Sequence, residues 1–391
     1  MGVCMSTLVL DEDGLFRSRP KRKLLAAPSL DSTEAGPDNR LCSNGISNSC
    51  CAYSKQGRKG VNQDCFLAWE GFGPQGDATF CGVFDGHGPA GHHVAKKVRD
   101  TLPNVLLDDE CARLFMSNSS VGGSPEHLKP DVDGLLSMSK AFVDCYGKMD
   151  DKLKTLPELN CVCSGTTAVT LVVKDKDLVI ANVGDSRAIL VSRGQDASLW
   201  VQQLTVDFKP DLPGELERIQ NCQGRVFALE DEPEVARLWL PNENKPGLAM
   251  ARALGDFCLK EYGLSAVPHV CHKCISEVDE FVVLATDGVW DVMSNEEVAS
   301  VVQKAEPKGS AAKSVVDAAV RKWKRKFSHV RMDDCAVVCH FFNQKHTMTV
   351  TSMHDCQSHS SRTSKEDSVN STLVTQNSTR NVVMPCFDRG I

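Results

Sequence analysis

The residues best suited to chemistry form the short stretch Asp85-Gly86-His87-Gly88. This stretch follows an apolar run at residues 80–84 and precedes a predicted helix, which places it at the end of a strand. Aspartate is a good ligand for a hard cation, histidine can donate a proton near neutral pH, and glycine lets the backbone approach a ligand closely. An ordinary strand–turn–helix connection uses the same residue types, so this stretch alone leaves both interpretations open.

Aspartates recur beside apolar runs at distant points of the chain. A carboxylate buried at such a point is costly unless a cation compensates it, and a cluster of oxygen ligands suits Mg²⁺ or Mn²⁺. Each aspartate alone could instead cap a turn. The set as a whole favours a divalent-metal cluster, whose candidate ligands are Asp64, Asp85, Asp185, Asp287, Asp291 and the pair Asp333-Asp334.

The elements that must position these residues are short strands separated by turns. Apolar runs at residues 166–173, 178–183 and 188–192 follow one another without room for a helix, which predicts antiparallel pairing. Further strands are predicted at residues 281–285 and 335–342, and helices at residues 91–102, 134–153, 214–221, 295–303 and 311–324. The pattern predicts an α+β fold. Residues 103–133 are interpreted as a loop insertion between helices, and residues 225–247 as a surface flap.

Composition limits the number of domains and the class of protein. The chain has 391 residues, and a hydrophobic content of 41% is sufficient for a sizeable core. We expect a disordered extension at residues 1–46, one folded domain at residues 47–342 and a flexible Ser/Thr-rich tail at residues 343–391. A net charge of -7 counts against a nucleic-acid partner. The 18 cysteines are scattered, which favours a reduced intracellular protein over a disulfide-linked one.

Seven sequence blocks in a fixed order resemble the metal-dependent protein serine/threonine phosphatases of type 2C, and plant members most. The blocks lie within residues 47–342, at residues 83–88, 164–168, 181–188, 204–207, 252–256, 285–291 and 333–334. Each block is weak alone, but the set in this order is highly specific. The resemblance implies a central antiparallel β-sandwich flanked by helices, with a metal cluster at one end.

The resemblance also implies a role for each site residue. Two divalent cations, Mg²⁺ or Mn²⁺, activate a water molecule that attacks phosphorus, and a third cation binds more weakly. Asp85 bridges the two metals, and the Gly86 carbonyl is a ligand of the second. The remaining assignments are Asp287 and Asp333 for the first metal, Asp64 as an acidic catalytic residue and ligand beside the second metal, Asp185 and Asp291 for the third metal, and His87 as general acid to the departing serine or threonine oxygen.

Two departures from the family pattern concern the metal and phosphate sites. Some members have glutamate where this chain has Gln63, so the second metal would have one carboxylate fewer. The phosphate-binding arginine of the family lies five residues before the position of Asp64, where this chain has Lys59 with Arg58 beside it. Lysine binds phosphate as a point charge and lacks the bidentate geometry of arginine. We assign phosphate binding to Lys59 or Arg58.

The first residues of the chain indicate membrane attachment. The opening sequence MGVCMS fits the N-myristoylation pattern at Gly2, and Cys4 is a candidate palmitoylation site. A basic cluster at residues 17–23 adds attraction to anionic lipid, which supplies the second signal that a single acyl chain needs. We expect the protein at the cytoplasmic face of the plasma membrane and in the cytoplasm. The alternative interpretation of residues 20–23 is a nuclear localisation signal.

Other functions fit parts of the sequence less well. The main alternative is a catalytically silent phosphoprotein-binding scaffold with the same fold, which would be expected to lose metal aspartates. The zinc-like spacing within residues 269–274 is better explained by a strand. The pair Cys356 and Arg362 mimics a cysteine-phosphatase loop, but it lies in the predicted tail without a strand or helix beside it. We expect phosphoprotein substrates and a monomer.

Overall fold

The computed structural model describes residues 33–34, 39–117, 132–326 and 331–342. Its strands in chain order are β1 Thr33–Glu34, β2 Arg40–Leu41, β3 Gly45–Ile46, β4 Cys50–Lys55, β5 Asp64–Phe72, β6 Ala78–His87, β7 Gly165–Thr166, β8 Ala168–Lys174, β9 Asp177–Val183, β10 Arg187–Arg193, β11 Leu199–Gln203, β12 Arg225–Leu229, β13 Glu232–Trp239, β14 Pro246–Leu248, β15 Leu254–Gly255, β16 His269–Cys274, β17 Asp279–Ala285 and β18 Cys335–Phe341. Its helices are α1 Gly91–Asp108, α2 Glu110–Ser117, α3 Val132–Lys154, α4 Pro213–Asn221, α5 Phe257–Lys260, α6 Asp287–Trp290, α7 Asn295–Lys304 and α8 Ala311–Lys326.

The strands form two large sheets. One has the order β1-β3-β4-β18-β17-β10-β11, and the other has the order β15-β7-β6-β8-β9-β16, with β5 and then β2 added beside β6. All strand pairs in these two sheets are antiparallel except β1 with β3. The predicted antiparallel α+β fold is therefore confirmed.

Hydrophobic clusters hold the sheets and helices in layers. The inner faces of the two sheets meet in one cluster, which includes Phe66 and Leu284. Helices α1, α2 and α3 pack on the outer face of the sheet that contains β6, and α7 and α8 pack on the outer face of the other sheet. Because both faces of the central strands are covered, their sequences are continuous apolar runs. None of the described helices is long and apolar enough to cross a bilayer.

Two segments that the sequence predicts to be loops contain regular secondary structure instead. The segment at residues 103–117 is helical, since α1 continues past Pro103 to Asp108 and α2 follows. Burial of Leu102 and Leu106 against the sheet outweighs the backbone hydrogen bond that proline removes. The predicted flap is a small antiparallel sheet of β12, β13 and β14. Stacking of Phe227 on Trp239, with ring centroids 4.9 Å apart, stabilises it.

Three smaller predictions concern the start of the folded domain, the strand at residues 269–274 and the helix at residues 311–324. Pairing begins before residue 47, because β2 pairs with β5 and β3 with β4. Residues 269–274 form strand β16, as predicted, and His272 in it is paired with Asp177 at 2.8 Å. The helix predicted at residues 311–324 is α8, which ends at Lys326 and packs on the sheet through Val316, Val320 and Trp323.

Candidate active site

The strands bring the predicted aspartates to one end of the sandwich. Strand β5 begins at Asp64 and β6 ends just beyond Asp85, and the antiparallel register places these two residues opposite each other. In the other sheet, β17 ends two residues before Asp287, and β18 begins directly after Asp333-Asp334. Neighbouring antiparallel strands start and end at the same edge, so residues distant in sequence become neighbours.

Thr286 joins the two sheets at this edge. Its hydroxyl donates to Asp64 Oδ2 at 2.7 Å and accepts a hydrogen bond from the Ala336 N–H at 2.9 Å. Asp64 belongs to one sheet and Ala336 to the other, so this single side chain fixes the carboxylate relative to β18. No sequence pattern predicts this role for Thr286.

Asp333 and Asp334 have different environments although they are adjacent. Both oxygens of Asp334 accept backbone hydrogen bonds, one from the Gly57 N–H at 2.7 Å and one from the Gln63 N–H at 2.8 Å. The carboxylate of Asp333 forms an ion pair with Lys59 through Oδ2, and its Oδ1 accepts a hydrogen bond from the adjacent Asp334 N–H at 2.9 Å. Asp334 therefore holds the loop at residues 57–63 in place, and Asp333 is the residue of the pair that is available to a ligand.

Position 86 accommodates only glycine. A Cβ atom there would lie 2.4 Å from the Gly91 carbonyl oxygen and 2.8 Å from the Gln63 carbonyl oxygen. The Gly86 N–H donates to that Gln63 oxygen at 3.2 Å. Glycine thus lets the end of β6 pack directly against the start of α1, which keeps Asp85 and His87 in fixed positions on either side.

The carboxylates repel one another in a partly buried site. Burial is the main cause that raises the pKa of Asp85 well above its ordinary value, and Asp64 and then Asp287 add to it. Burial likewise raises the pKa of Asp64, against the hydrogen bond from Thr286, and raises the pKa of Asp287, with Asp333 adding to it. The site cannot hold all these charges unless cations compensate them.

Arg58 and Lys59 are both exposed, and Lys59 contacts the carboxylate cluster through its ion pair with Asp333. Burial opposes the charge on Lys59, but Asp333 and then Asp287 outweigh it and raise the pKa of the ammonium group above its ordinary value. Gln63 does not point its amide at the cluster, because Nε2 donates to the Gly88 carbonyl at 3.0 Å. Of the two basic residues assigned to phosphate, the structure brings Lys59 to the site.

Asp185 and Asp291 form a second acidic group beside the cluster around Asp85. Asp185 lies in the turn between β9 and β10 and is 2% exposed. Its Oδ2 is paired with Lys209, and its Oδ1 has no hydrogen-bond partner among the described residues. Burial raises the pKa of Asp291, and Lys209 opposes this shift. Lys209 was not selected from the sequence, although it closely follows the block at residues 204–207.

His87 is paired with Asp256, which lies in the sequence block at residues 252–256 but had no predicted role. Asp256 Oδ2 lies 2.5 Å from His87 Nε2, and Asp256 is 2% exposed. Burial lowers the pKa of His87, but the charge of Asp256 and its hydrogen bond outweigh burial and raise that pKa above its ordinary value. Asp256 therefore favours the protonated imidazole, which is the form that can donate a proton.

The side chains of the acidic cluster are suited to binding divalent cations. The candidate donors are all oxygen atoms, the carboxylates are crowded, and a buried oxygen of Asp185 lacks a partner among the described residues. Hard cations such as Mg²⁺ and Mn²⁺ prefer this donor set. The residues that would hold them are Asp64, Asp85, Gly86, Asp287 and Asp333, with Asp185 and Asp291 beside them. The lipidation candidates Gly2 and Cys4 and the tail pair Cys356 and Arg362 lie outside the described residues.

Known proteins match the chain over most of its length. Residues 49–326 match the family model described as protein phosphatase 2C. The probable protein phosphatase 2C 52 of Arabidopsis thaliana is 50% identical over 343 residues, which cover 84% of this chain and 73% of the relative. The probable protein phosphatase 2C 75 of Oryza sativa subsp. japonica is 46% identical over 363 residues, which cover 88% of this chain and 83% of the relative.

A solved structure shows the same fold. The crystal structure of a serine-threonine phosphatase 2C from Toxoplasma gondii superposes with a TM-score of 0.69 at 25% identity, covering 78% of this chain and 98% of that chain. The family match includes Asp64, Asp85, Asp185, Asp287 and Asp291, whereas Asp333 and strand β18 follow its end. The chain therefore belongs to the protein phosphatase 2C family.

Proposed function

We propose that this phosphatase hydrolyses phosphoserine and phosphothreonine in proteins by direct attack of water, without a covalent enzyme intermediate. The observation that supports this most directly is the crowded carboxylate cluster with the His87–Asp256 pair beside it. A cluster of this kind suits cations that bind phosphate, and the adjacent imidazole suits proton transfer to a leaving oxygen. Relatives named protein phosphatase 2C support the substrate class.

The cluster residues divide into a binding role and a positioning role. Asp85, Gly86, Asp287, Asp333 and Asp64 would hold two divalent cations, and Asp185 and Asp291 a third. Mg²⁺ or Mn²⁺ bound there supplies Lewis-acid chemistry that activates water and neutralises charge on the phosphoryl group. Thr286 orients Asp64 through its hydroxyl, and Asp334 orients the loop that carries Lys59.

His87 and Lys59 act on the substrate itself in this proposal. His87 donates a proton to the serine or threonine oxygen as the bond to phosphorus breaks, and Asp256 stabilises the protonated form before that step. Lys59 contacts the cluster and is about half exposed on its side chain, so it can reach an incoming phosphate as a point charge. Its present partner Asp333 would then bind a cation instead.

The test is hydrolysis of a phosphothreonine peptide by the full chain. Phosphate release is expected with Mn²⁺ or Mg²⁺, with loss in EDTA and in Asp85→Asn. Asp196→Asn is the matched control, because Asp196 lies in the exposed turn between β10 and β11 and its carboxylate accepts hydrogen bonds from Ser198. Turnover that persists in EDTA contradicts the cation mechanism. Calorimetric Mn²⁺ binding without turnover under any divalent cation would favour the scaffold alternative.

The protein is also proposed to be anchored at the cytoplasmic face of the plasma membrane as a monomer. The support is the sequence alone, from Gly2, Cys4 and the basic cluster at residues 17–23. Gly2→Ala is expected to move the full chain from membrane to soluble fractions, with catalytic activity unchanged. A distribution that does not change would contradict the lipid anchor, and nuclear accumulation of both forms would favour the alternative localisation.

A further inference from the structure

Two cysteines outside the acidic cluster lie in direct contact. The Sγ atoms of Cys163 and Cys258 are 3.2 Å apart, and both residues are free thiols. Cys163 is exposed and Cys258 is half-buried, so a small oxidant in water can reach the pair. By contrast, the sulfurs of Cys50 and Cys81 are 3.8 Å apart and fully buried between the sheets.

The backbone around the two thiols is already paired. Strands β7 and β15 place Gly165 opposite Gly255, and the pairing continues outward from them. The Phe257 N–H donates to the Cys161 carbonyl at 3.1 Å, and the Cys258 N–H donates to the Val162 carbonyl at 2.9 Å. A disulfide has a sulfur–sulfur distance of about 2.05 Å, so closing the contact requires a movement of only about 1 Å.

Exposure assigns different chemical roles to the two thiols. Cys163 is the more accessible and is therefore the first to meet an oxidant. Burial, and then the contact with Cys163, raises the pKa of Cys258 to about 12, so Cys258 remains a thiol at neutral pH. A protected thiol beside an exposed one is the arrangement in which a sulfenic acid is captured as a disulfide before it oxidises further.

We propose that Cys163 and Cys258 form a redox site, which hydroperoxides convert to a disulfide that lowers phosphatase turnover. In the first step the Cys163 sulfur attacks a peroxide oxygen, the O–O bond breaks, and one water or alcohol leaves with the thiol proton. In the second step the Cys258 sulfur attacks the Cys163 sulfenic acid, the S–O bond breaks, and water leaves with the second proton. The two sulfurs together lose two electrons, and the peroxide gains them.

The disulfide would act on the active site through the residues beside each cysteine. Asp256, the partner of His87, lies two residues before Cys258, and its N–H donates to the Ser164 carbonyl at 3.0 Å. On the other side, the Cys163 carbonyl oxygen would be 2.3 Å from a Cβ at Gly88, so it packs directly on the turn after His87. A displacement of about 1 Å in such a site can cost up to about 100-fold in rate.

The first experiment detects the bond itself and does not depend on the proposed phosphatase mechanism. The reduced full chain is treated with hydrogen peroxide, free thiols are blocked, and the digest is analysed by mass spectrometry. A cross-linked peptide pair containing Cys163 and Cys258, lighter by two hydrogen atoms and separated by dithiothreitol, is expected. Sulfinic or sulfonic acid on Cys163 beside an unmodified Cys258 would overturn the proposal.

The second experiment measures turnover, and this readout alone rests on the proposed function. Peroxide is expected to lower kcat on a phosphothreonine peptide at least severalfold in the wild type, with recovery in dithiothreitol. Cys163→Ser and Cys258→Ser should both resist this loss, whereas Cys274→Ser, which removes another exposed thiol, should respond like the wild type. A disulfide without loss of turnover, or equal loss in Cys258→Ser, would overturn the regulatory role of the pair.

Discussion

The contact between Asp256 and His87 gives the sharpest prediction about catalysis. Replacing Asp256 by asparagine removes the negative charge that favours protonated His87 and keeps the size of the side chain. Asparagine also suits the backbone, since residue 256 has φ 51°, in the left-handed region that Asn tolerates better than most residues. The substitution therefore changes the charge beside His87 with little effect on the fold.

The expected loss follows from the hydrogen bond. Asp256 is 2% exposed and contacts His87 Nε2 at 2.5 Å, so the bond is charge-assisted and shielded from water. Bonds of this type contribute about 2 kcal/mol, which corresponds to about a 30-fold decrease in kcat when the proton on His87 is needed. The threonine alkoxide that leaves from a phosphothreonine peptide is a poor leaving group and needs that proton. The p-nitrophenolate that leaves from p-nitrophenyl phosphate is stabilised and does not need it.

The assay compares kcat for the two substrates under saturating Mn²⁺. Asp256→Asn should lose about 30-fold on the phosphothreonine peptide and only a small factor on p-nitrophenyl phosphate. His87→Gln should show the same selectivity, and adding Asp256→Asn to it should cause little further loss, because the two residues act as a unit. Equal losses on both substrates, or fully additive losses in the double variant, would refute the role of Asp256 as the positioning residue of His87.

Three further predictions concern stability. Glu215 lies 2.6 Å from Arg252, and its pKa is lowered from 4.5 because the bonds from its two arginines outweigh burial. The ionised carboxylate therefore stabilises the fold above pH 4.5, and this stabilisation is lost as the pH falls through the lowered pKa. Glu215→Gln should lower the free energy of unfolding by about 3 kcal/mol at pH 7, and urea unfolding should show a smaller difference as the pH falls below 4.5. Asp334→Asn should lose about 2 kcal/mol by urea unfolding in EDTA, because one of two part-buried N–H groups loses its charged acceptor, whereas Asp333→Asn should lose none; equal losses would contradict their separate roles. Gly86→Ala should lower stability by about 2 kcal/mol, measured as a fall in Tm, because its Cβ would overlap a backbone carbonyl, and an unchanged Tm would contradict this packing.

The acidic cluster was predictable because its members share a local pattern. Asp85, Asp287 and Asp333 each follow or precede an apolar run, and strand ends at one edge of an antiparallel sheet converge whatever their separation in sequence. Strand positions followed from the same runs. The extent of α1 did not, because Pro103 predicts a helix end locally, and only burial of the following turn against β6 shows that the helix continues.

The residues that orient the cluster were not predictable, since their roles depend on partners that no local pattern indicates. Lys209 and Asp256 lie in loops, and each meets a site residue that is distant in sequence. Thr286 differs from other strand-end threonines only through its contact with Asp64 across the two sheets. These are single side-chain contacts at distances near 3 Å, and neither periodicity nor composition carries information at that scale.

Gln63 shows how a departure from the family pattern can be compatible with the site. Its side-chain amide donates to the Gly88 carbonyl at 3.0 Å, its N–H donates to Asp334, and its carbonyl oxygen accepts from the Gly86 N–H. A glutamate in this position would place a carboxylate against the Gly88 carbonyl oxygen, where it has no proton to donate. The substitution therefore removes one negative charge from a crowded acidic site and adds a hydrogen bond that holds the turn carrying His87. The cluster loses a potential ligand, and the proton donor beside it gains a fixed support.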